Sequence, residues 1–502
     1  MNRFYSRKNV ETLSLIRACE KRLSSEYTLP SLKRDSVNLT TLQTKLNELN
    51  KDLAIKAFRN NILIKSISWI EVQNELKFND VSIEFVHYKY FNIEQIDSIN
   101  YAALVLLPND TSPHFIPLFE EKELNQLLST SQSRRMDYVA DLYHSSNDRG
   151  ALPSGSSSKT LYELIWQPLE PYLKGVNKIY FSPSGLLHRI NQNAVAINDQ
   201  TLLSDKYDLV QLGSTRQLVT DENVKEAKIH TACIYGGINF EMDSTALLAS
   251  IHKMDSNSIA LRSELSFSYT DSTLRGATWS YLKGSEDEAN EINKIIQKTG
   301  IKSILFKGNE ATEAGFKKLG DYNTESPQVI HVSSHGYFFP DPKVSHQATI
   351  LSLQQEPVFK MSEHPMLRSG LILAGANHAW KTGKPITPEA EDGILTAYEI
   401  SQLNLRNTEL VVLSACETGL GDIQGNEGVY GLQRAFKIAG AKNLIMSLWQ
   451  VPDKQTSELM TAFYKYWLIK KKSIRESLKL AQNDLRKKGL ESFYWAGFVL
   501  VE

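Results

Sequence analysis

The chain has 502 residues, of which 41% are hydrophobic and 23% are charged, values that are typical of a folded globular protein and not of a disordered or fibrous one. This length predicts roughly three domains. Lys and Arg number 56 against 57 Asp and Glu, a formal net charge of -1, which excludes an overall positive field that would attract nucleic acid or anionic lipid.

Cysteine usage and the absence of apolar segments indicate the compartment. The chain has 3 cysteines, Cys19, Cys233 and Cys416, and this odd, widely spaced set argues against a disulfide framework or a CxxC metal site. The opening segment MNRFYSRKNVETLS lacks the apolar region of a signal peptide, and no segment has the roughly 18 consecutive apolar residues of a membrane span. We therefore expect a cytoplasmic protein without membrane contact.

Residues 1–68 are expected to form a helical region. Five leucines recur at alternating steps of three and four and so share one helical face: Leu39, Leu42, Leu46, Leu49 and Leu53. The pattern suits a helical-repeat hairpin, a coiled coil or a bundle helix, and the bundle helix is the default interpretation.

Residues 69–151 are expected to form an α+β connecting module. A short helix over Ser68–Leu76 is followed by VSIEFVHYKYF and INYAALVLLP, which are rich in the β-branched and aromatic residues of strands. The segment LPSGSSSK then concentrates Pro, Gly and Ser, which predicts a linker before residue 160.

Residues 160–286 alternate helix and strand. The helix LYELIWQPLEPYL precedes the strand KIYFSP, a turn at Ser184 and Gly185, and the strand HTACIYGG, an order typical of a parallel α/β sheet. Cys233 lies inside the last strand, where a buried core role is expected.

Residues 287–502 repeat this alternation, with strands KSILFKG, QVIHVSSHG, ELVVLSACETG and AKNLIMSLW between helices. Continuous apolar runs such as VVLS are typical of parallel strands that helices cover on both faces. The predicted fold class is therefore α/β, with two tandem parallel-sheet halves preceded by a helical and α+β module.

Two of these strands lead into reactive residues. VIHVS continues into Ser334-His335-Gly336, and LVVLSA continues into Cys416. Ligands of α/β sheets bind beyond the carboxyl ends of strands, so an imidazole and a thiol are expected at one edge. Histidine can deprotonate a cysteine nucleophile, and the backbone N–H groups of Gly336 and Cys416 can form an oxyanion hole. The structural alternative is a small core cysteine and a plain SHG turn.

Other chemistries lack their motifs. Gly236-Gly237 and GLGD supply neither GxGxxG nor a P-loop, and no GxSxG is present. His331 and His335 form HxxxH on a predicted strand without the glutamate of a zincin helix. We therefore expect no metal, no cofactor and no directly bound nucleic acid.

Residues 160–502 resemble the CHAT domain, a caspase-like protease domain that is related to separase and often follows tetratricopeptide repeats. The motifs that carry the resemblance stand in order: IYFSPSGLLHRINQNAV, HVSSHG, SGLILAGAN, EDGILTAYEI, ELVVLSACETGLG, NEGVYGLQRAFKIAGAKNLIMSLWQVPDKQT and FYWAGFVL. Residues 69–128 also resemble the segment before this domain in repeat-bearing members. The chain is thus similar to the downstream part of a longer repeat protein.

The resemblance implies a catalytic half over 287–502, with His335 as general base, Cys416 as nucleophile, and oxyanion amides from Gly336 and Cys416. It implies that 160–286 is a caspase-like half without a dyad, since His188 has no matching thiol. The function implied is a cysteine endopeptidase for a protein substrate, activated by a protein partner through the N-terminal module. The alternative is a catalytically idle scaffold for protein–protein recognition.

The resemblance to separase also places Asp453 where an acid contributes to the pocket for a basic P1 side chain. An N-cap role for Asp453 is the structural alternative, and the pocket would then be lined by Trp449 and Val451 and prefer Leu or Met. Glu391 and Asp392 precede Gly393 and are further acidic candidates for substrate binding.

Overall fold

In the computed structural model, the described residues are mainly those of 35–59, 67–91, 97–128, 159–220, 228–242, 278–321, 324–338, 365–382, 385–387, 390–414, 416–417, 426–449 and 451–502, with single positions between 15 and 23 and between 139 and 143. Of the predicted linker at 152–159, residues 152–158 lie outside them. None of the described helices is both long enough and apolar enough to cross a membrane.

Helices occur throughout the described ranges. In chain order they are α1 Ser36–Arg59, α2 Trp69–Glu75, α3 Glu121–Leu128, α4 Leu161–Ile165, α5 Leu203–Lys206, α6 Gln217–Thr220, α7 Lys283–Lys298, α8 Glu313–Leu319, α9 Ala376–Thr382, α10 Ala397–Ser401, α11 Asn426–Ala439, α12 Asp453–Tyr464, α13 Ile474–Lys487 and α14 Ser492–Trp495.

Strands alternate with these helices after residue 80. They are β1 Asp80–Phe91, β2 Asp97–Leu106, β3 His114–Glu120, β4 Lys178–Ser182, β5 Ala196–Asn198, β6 Thr201–Leu202, β7 Asp208–Gln211, β8 Thr231–Ile238, β9 Lys302–Gly308, β10 Val329–Val332, β11 His335–Phe338, β12 Ser369–Ile372, β13 Ile394–Thr396, β14 Leu410–Leu413, β15 Cys416–Glu417, β16 Asn443–Ser447 and β17 Phe498–Val501.

The chain forms two compact units. The first contains residues 1–66, 231–293 and 302–442, and the second contains residues 67–230, 294–301 and 443–502. The mixed α/β class with parallel strands is confirmed. The compact units differ from the predicted division, because β8 belongs to the first unit and residues 443–502 to the second.

The first unit is built on parallel strands in the order β14-β10-β8-β9. Every residue of β10 and of β14 is buried, as the continuous apolar runs predict. A second, smaller sheet has the order β13-β12-β11-β15. In it β12 pairs antiparallel with β11 and β13, whereas β15 pairs parallel with β11.

The N-terminal helix prediction is confirmed by α1. Leu42 on its predicted apolar face is buried and packs with Cys19 and Leu23, and further leucines of that face pack against the cluster. The helix therefore has a partner within residues 15–23, which fits the amphipathic pattern.

The second unit contains a five-stranded sheet in the order β3-β2-β1-β4-β7. Strand β1 pairs antiparallel with β2 and parallel with β4. One sheet thus joins strands from both sides of the predicted linker, and 69–151 and 160–230 are not separate sheets. The same unit contains the antiparallel pair β16 and β17.

Local chemistry explains where several elements begin and end. Thr160 caps α4 with a capping box that Glu163 completes, which satisfies two N-terminal N–H groups. The helix predicted for LYELIWQPLEPYL is wrong in its second half. It changes at Trp166 to a 3₁₀ helix over Gln167–Tyr172 that contains Pro168 and Pro171, because proline lacks the N–H that an α-helix requires.

Candidate active site

His335 and Cys416 lie opposite each other in the smaller sheet of the first unit. They are Cα partners in the parallel pair of β11 and β15, followed by the partners Gly336 and Glu417. The cause lies in the main sheet, where β10 and β14 are parallel neighbours with Val332 opposite Leu413. Each strand is followed by a two-residue step into the smaller sheet, so the two steps keep the same register.

The path of the chain at His335 differs from the prediction. The segment QVIHVSSHG was predicted as one strand ending in a turn, but it divides into β10 and β11, which lie in different sheets. Ser334 occupies the step and donates its hydroxyl to the carbonyl of Ile372. Gly336 is inside β11, opposite Leu371 and Glu417, so the SHG turn of the structural alternative is wrong.

The imidazole of His335 is held in one orientation. Its side chain is buried, and its Nε2 lies 2.8 Å from the carbonyl oxygen of Ser280. A carbonyl only accepts, so Nε2 carries the proton and the lone pair of the neutral ring is on Nδ1. The rings of Phe240 and Trp279 flank it with centroids at 5.0 and 5.1 Å. The hydrogen bond and the two ring contacts thus fix the tautomer and the orientation of the imidazole.

A buried carboxylate contacts both strand ends that lead to His335 and Cys416. One oxygen of Glu288 accepts hydrogen bonds from the hydroxyls of Ser333 at 3.1 Å and Ser414 at 3.0 Å. The other lies 3.1 Å from Nε2 of His331, which is fully buried. Each serine stands two residues before a member of the His335–Cys416 pair, so α7 fixes both steps through one side chain.

Sequence reasoning missed Glu288. The available signal was its position on α7, where Glu288 lies on the same helical face as three isoleucines that are buried: Ile292, Ile295 and Ile296. An acidic residue on an apolar helical stripe needs a buried polar partner. The HxxxH histidine His331 lies 3.1 Å from Glu288 and supplies part of that partner.

Glu391 and Asp392 join a cluster around Lys317. The Lys317 ammonium lies 2.6 Å from Glu313, 3.0 Å from Glu391 and 2.8 Å from Glu399. Oxygens of these three glutamates lie within 4.8 Å of one another, a spacing compatible with a metal ion, but the Lys317 ammonium already pairs with all three. The other oxygen of Glu313 accepts the N–H of Gly393 at 2.8 Å.

Burial and like charges control protonation in this cluster. Burial raises the pKa of Glu313 well above its usual range, although Lys317 opposes the shift. Burial alone would lower the pKa of Lys317, but the surrounding carboxylates, Glu313 first, raise it well above its ordinary value. Burial, and then the charge of Glu399, raise the pKa of Asp392 to about 7. Asp392 also accepts the N–H of Ile394 at 2.8 Å.

Asp453 belongs to the second unit, where it is exposed and is the first residue of α12. The predicted N-cap alternative is wrong, because Pro452 occupies the cap position and makes no side-chain capping bond. Trp449 and Val451 are buried in this unit, and the indole N–H of Trp449 donates to the carbonyl of Phe493 at 2.9 Å.

A parallel α/β sheet with a histidine and a cysteine in register beyond its strand ends is the arrangement that the resemblance to caspase-like domains implies. The chain belongs to the CHAT domain family, whose model matches residues 155–502. The resemblance predicted for 160–502 is thereby confirmed.

More distant likenesses cover parts of other proteins. The chain is 33% identical over 117 residues to Tetratricopeptide repeat protein 28 of Mus musculus, which covers 23% of this chain and 5% of that protein. It therefore spans a small part of that relative's length. Gingipain R, an Arg-specific cysteine proteinase, aligns with a TM-score of 0.36 at 10% identity over 67% of each chain. A chain of a Saccharomyces cerevisiae separase–securin complex aligns with a TM-score of 0.38 at 10% identity, over 98% of this chain and 36% of that chain.

Proposed function

We propose that the protein is a cysteine endopeptidase with Cys416 as nucleophile and His335 as general base. The observation that carries the proposal is the register of His335 opposite Cys416. Membership of the CHAT domain family supports it, because both positions of the dyad implied by the resemblance are filled.

The proposed reaction follows acyl transfer. Nδ1 of His335 removes the thiol proton of Cys416, and the carbonyl of Ser280 stabilises the imidazolium through Nε2–H. The thiolate attacks the scissile carbonyl, and the amides of Gly336 and Cys416 bind the resulting oxyanion. His335 then protonates the leaving amine, and water hydrolyses the thioester to release the second product.

We keep Asp453, which the resemblance to separase implies, as the proposed acid for a basic P1 side chain. Its side chain is exposed, whereas Glu391 is paired with Lys317 and Asp392 accepts a backbone N–H. An exposed carboxylate remains available for the guanidinium of Arg, which can bind it through two parallel hydrogen bonds.

Regulation is proposed to act through the N-terminal module. Helix α1 packs against residues 19 and 23, and the match to a tetratricopeptide-repeat protein is consistent with a position behind helical repeats. A protein partner that binds this module would activate the protease. We expect low turnover by the isolated chain, and full turnover without any partner would contradict this part of the proposal.

Labelling with an electrophilic peptide tests the dyad. Wild-type protein should be modified at Cys416, while Cys416→Ala should be neither labelled nor active on a protein substrate. Cys233 is an internal control, because burial raises the pKa of its thiol to about 12 and keeps it unreactive. If wild type and Cys416→Ala give identical fragments, or if Cys416 is inert in the presence of substrate and partner, the scaffold alternative is favoured.

A further inference from the structure

Asn377 is a fully buried polar residue in the first turn of α9, within the SGLILAGAN motif. Its side chain and its backbone N–H form hydrogen bonds with Trp279, Phe240 and Glu241. Trp279 and Phe240 contact the His335 ring, and Glu241 follows Phe240 in the chain. A buried side-chain amide destabilises a protein core unless each of its polar groups has a hydrogen-bond partner.

The side chain of Asn377 binds the backbone of Trp279 at both of its polar groups. Trp279 donates its N–H to Oδ1 at 2.9 Å, and its carbonyl oxygen accepts from Nδ2 at 2.9 Å. Residues 278–282 belong to no helix or strand. The side-chain amide of Asn377 therefore provides hydrogen bonds that a neighbouring strand would otherwise make to the backbone of Trp279. The following carbonyl, that of Ser280, is the one that accepts from Nε2 of His335.

Asn377 also binds the second aromatic neighbour of the imidazole, and the residue after it. Its N–H donates to the carbonyl of Phe240 at 3.1 Å, and Nδ2 also donates to Glu241 at 3.0 Å. Phe240 and Trp279 are the two aromatic residues whose rings flank His335. A single residue therefore fixes both aromatic neighbours and, through Trp279, the carbonyl that selects the tautomer.

We propose that Asn377 is a positioning residue for His335, an inference that rests on the proposed role of His335 as general base. Asn377 sets where the Ser280 carbonyl lies, and that carbonyl keeps the proton on Nε2, so that the lone pair of the ring is on Nδ1. Proton transfer depends on this geometry, because displacement of about 1 Å costs on the order of 100-fold in rate.

Replacement of Asn377 by leucine removes both polar groups of the side-chain amide while keeping the same branching at Cγ. The buried N–H and C=O of Trp279 then lack their partner, and the segment should shift to satisfy them. The matched control is Asn407→Leu in the same unit, which removes a side-chain bond to the carbonyl of Ser326. Should Asn377→Leu fail to fold, Asn377→Asp keeps the size and the acceptor for Trp279 N–H while losing the donor.

The first measurement is the pH profile of Cys416 alkylation by iodoacetamide. In wild type and Asn407→Leu the alkylation rate should rise with pH, with a midpoint below the ordinary thiol pKa of about 8.5. In Asn377→Leu we expect at least about a tenfold loss at neutral pH, with the rise moved toward that ordinary value, and an intermediate profile for Asn377→Asp. Profiles equal to wild type in both Asn377 variants would overturn the proposal.

The second measurement does not require a reactive thiol. The ¹³C–¹H resonance of the His335 ring, assigned by its loss in His335→Gln, should move in Asn377→Leu, because the flanking rings shift, and stay in Asn407→Leu. If wild-type Cys416 shows no assisted alkylation, the proposed dyad fails, yet this resonance still decides whether Asn377 positions the ring. An unmoved resonance in a folded Asn377 variant would contradict the inference independently.

Discussion

Ser414 donates its hydroxyl to the buried carboxylate of Glu288 at 3.0 Å, two residues before Cys416. The same oxygen accepts from Ser333, two residues before His335. The two strand ends of the candidate site are thus joined through a single acceptor. Since a shared buried acceptor couples its donors, changes at Glu288 should affect both strand ends together.

Glu288→Gln should lower the free energy of unfolding by about 1–3 kcal/mol, because a buried charged acceptor of two hydroxyls is replaced by a weaker one. The matched control is Glu286→Gln on the same helix, where a partly exposed carboxylate pairs with Lys307 and a loss of about 0–1 kcal/mol is expected. Chemical denaturation of the three proteins measures the difference. Equal losses at positions 286 and 288 would show that the buried network adds nothing.

Local sequence patterns predicted the individual elements well. The strand KSILFKG coincides with β9 at Lys302–Gly308, and the helix expected over Ser68–Leu76 is α2 with Ser68 as N-cap and Leu76 as C-cap. Both depend on nearby residues alone. The pairing of β1 with β4 was not predicted, because the choice of a strand's neighbour depends on distant packing that periodicity does not encode.

The stability of wild type should fall relative to Asp392→Asn as the pH rises. Burial and Glu399 raise the pKa of Asp392 from 3.8 to about 7, so between these values the folded state holds a proton that the unfolded state releases. The stabilisation is complete below about pH 4 and is lost as the pH passes through 7. Asparagine cannot titrate, so the variant should gain stability relative to wild type between pH 5 and pH 8.

Thermal unfolding at pH 5 and pH 8 measures this change, with Asp199→Asn as the control at an exposed aspartate. A pH-independent difference between wild type and Asp392→Asn would show that the carboxyl does not bind its proton more tightly in the folded protein.

Lys317→Met should destabilise the first unit strongly. The ammonium is close to three carboxylates, and its removal leaves them repelling one another in a largely buried place. Removal of one partner from a buried ion pair costs about 3–5 kcal/mol. Lys318→Met, at the exposed neighbouring lysine, is the matched control and should change the free energy of unfolding by less than about 0.5 kcal/mol. Similar values for the two variants in urea denaturation would exclude the cluster as a source of stability.

The site itself was only partly predictable. His335 and Cys416 follow apolar strands, a pattern visible in the sequence, and their register follows from the parallel pairing of β10 and β14. Asn377 and Lys317 gave no such signal, because their roles depend on partners such as Trp279 and Glu391 that are distant in the sequence. Buried polar contacts of this kind appear only once the fold brings the segments together.

The last prediction concerns the P1 residue. If Asp453 binds the substrate, a positional-scanning peptide library should show a preference for Arg over Lys at P1, because a carboxylate can accept two parallel hydrogen bonds from a guanidinium. Asp453→Asn should reduce that preference. The matched control is Glu458→Gln on the same helix, where the carboxylate pairs with Lys488, and it should leave the P1 profile unchanged.

Because Asp453 is in the first turn of α12, its loss also removes a favourable charge at the helix N-terminus, worth about 0.3–1 kcal/mol. Thermal unfolding must therefore accompany the cleavage profile. A preference for Leu or Met in wild type, or an unchanged Arg preference in Asp453→Asn, would reject Asp453 as the P1 acid while leaving the His335–Cys416 pair untouched.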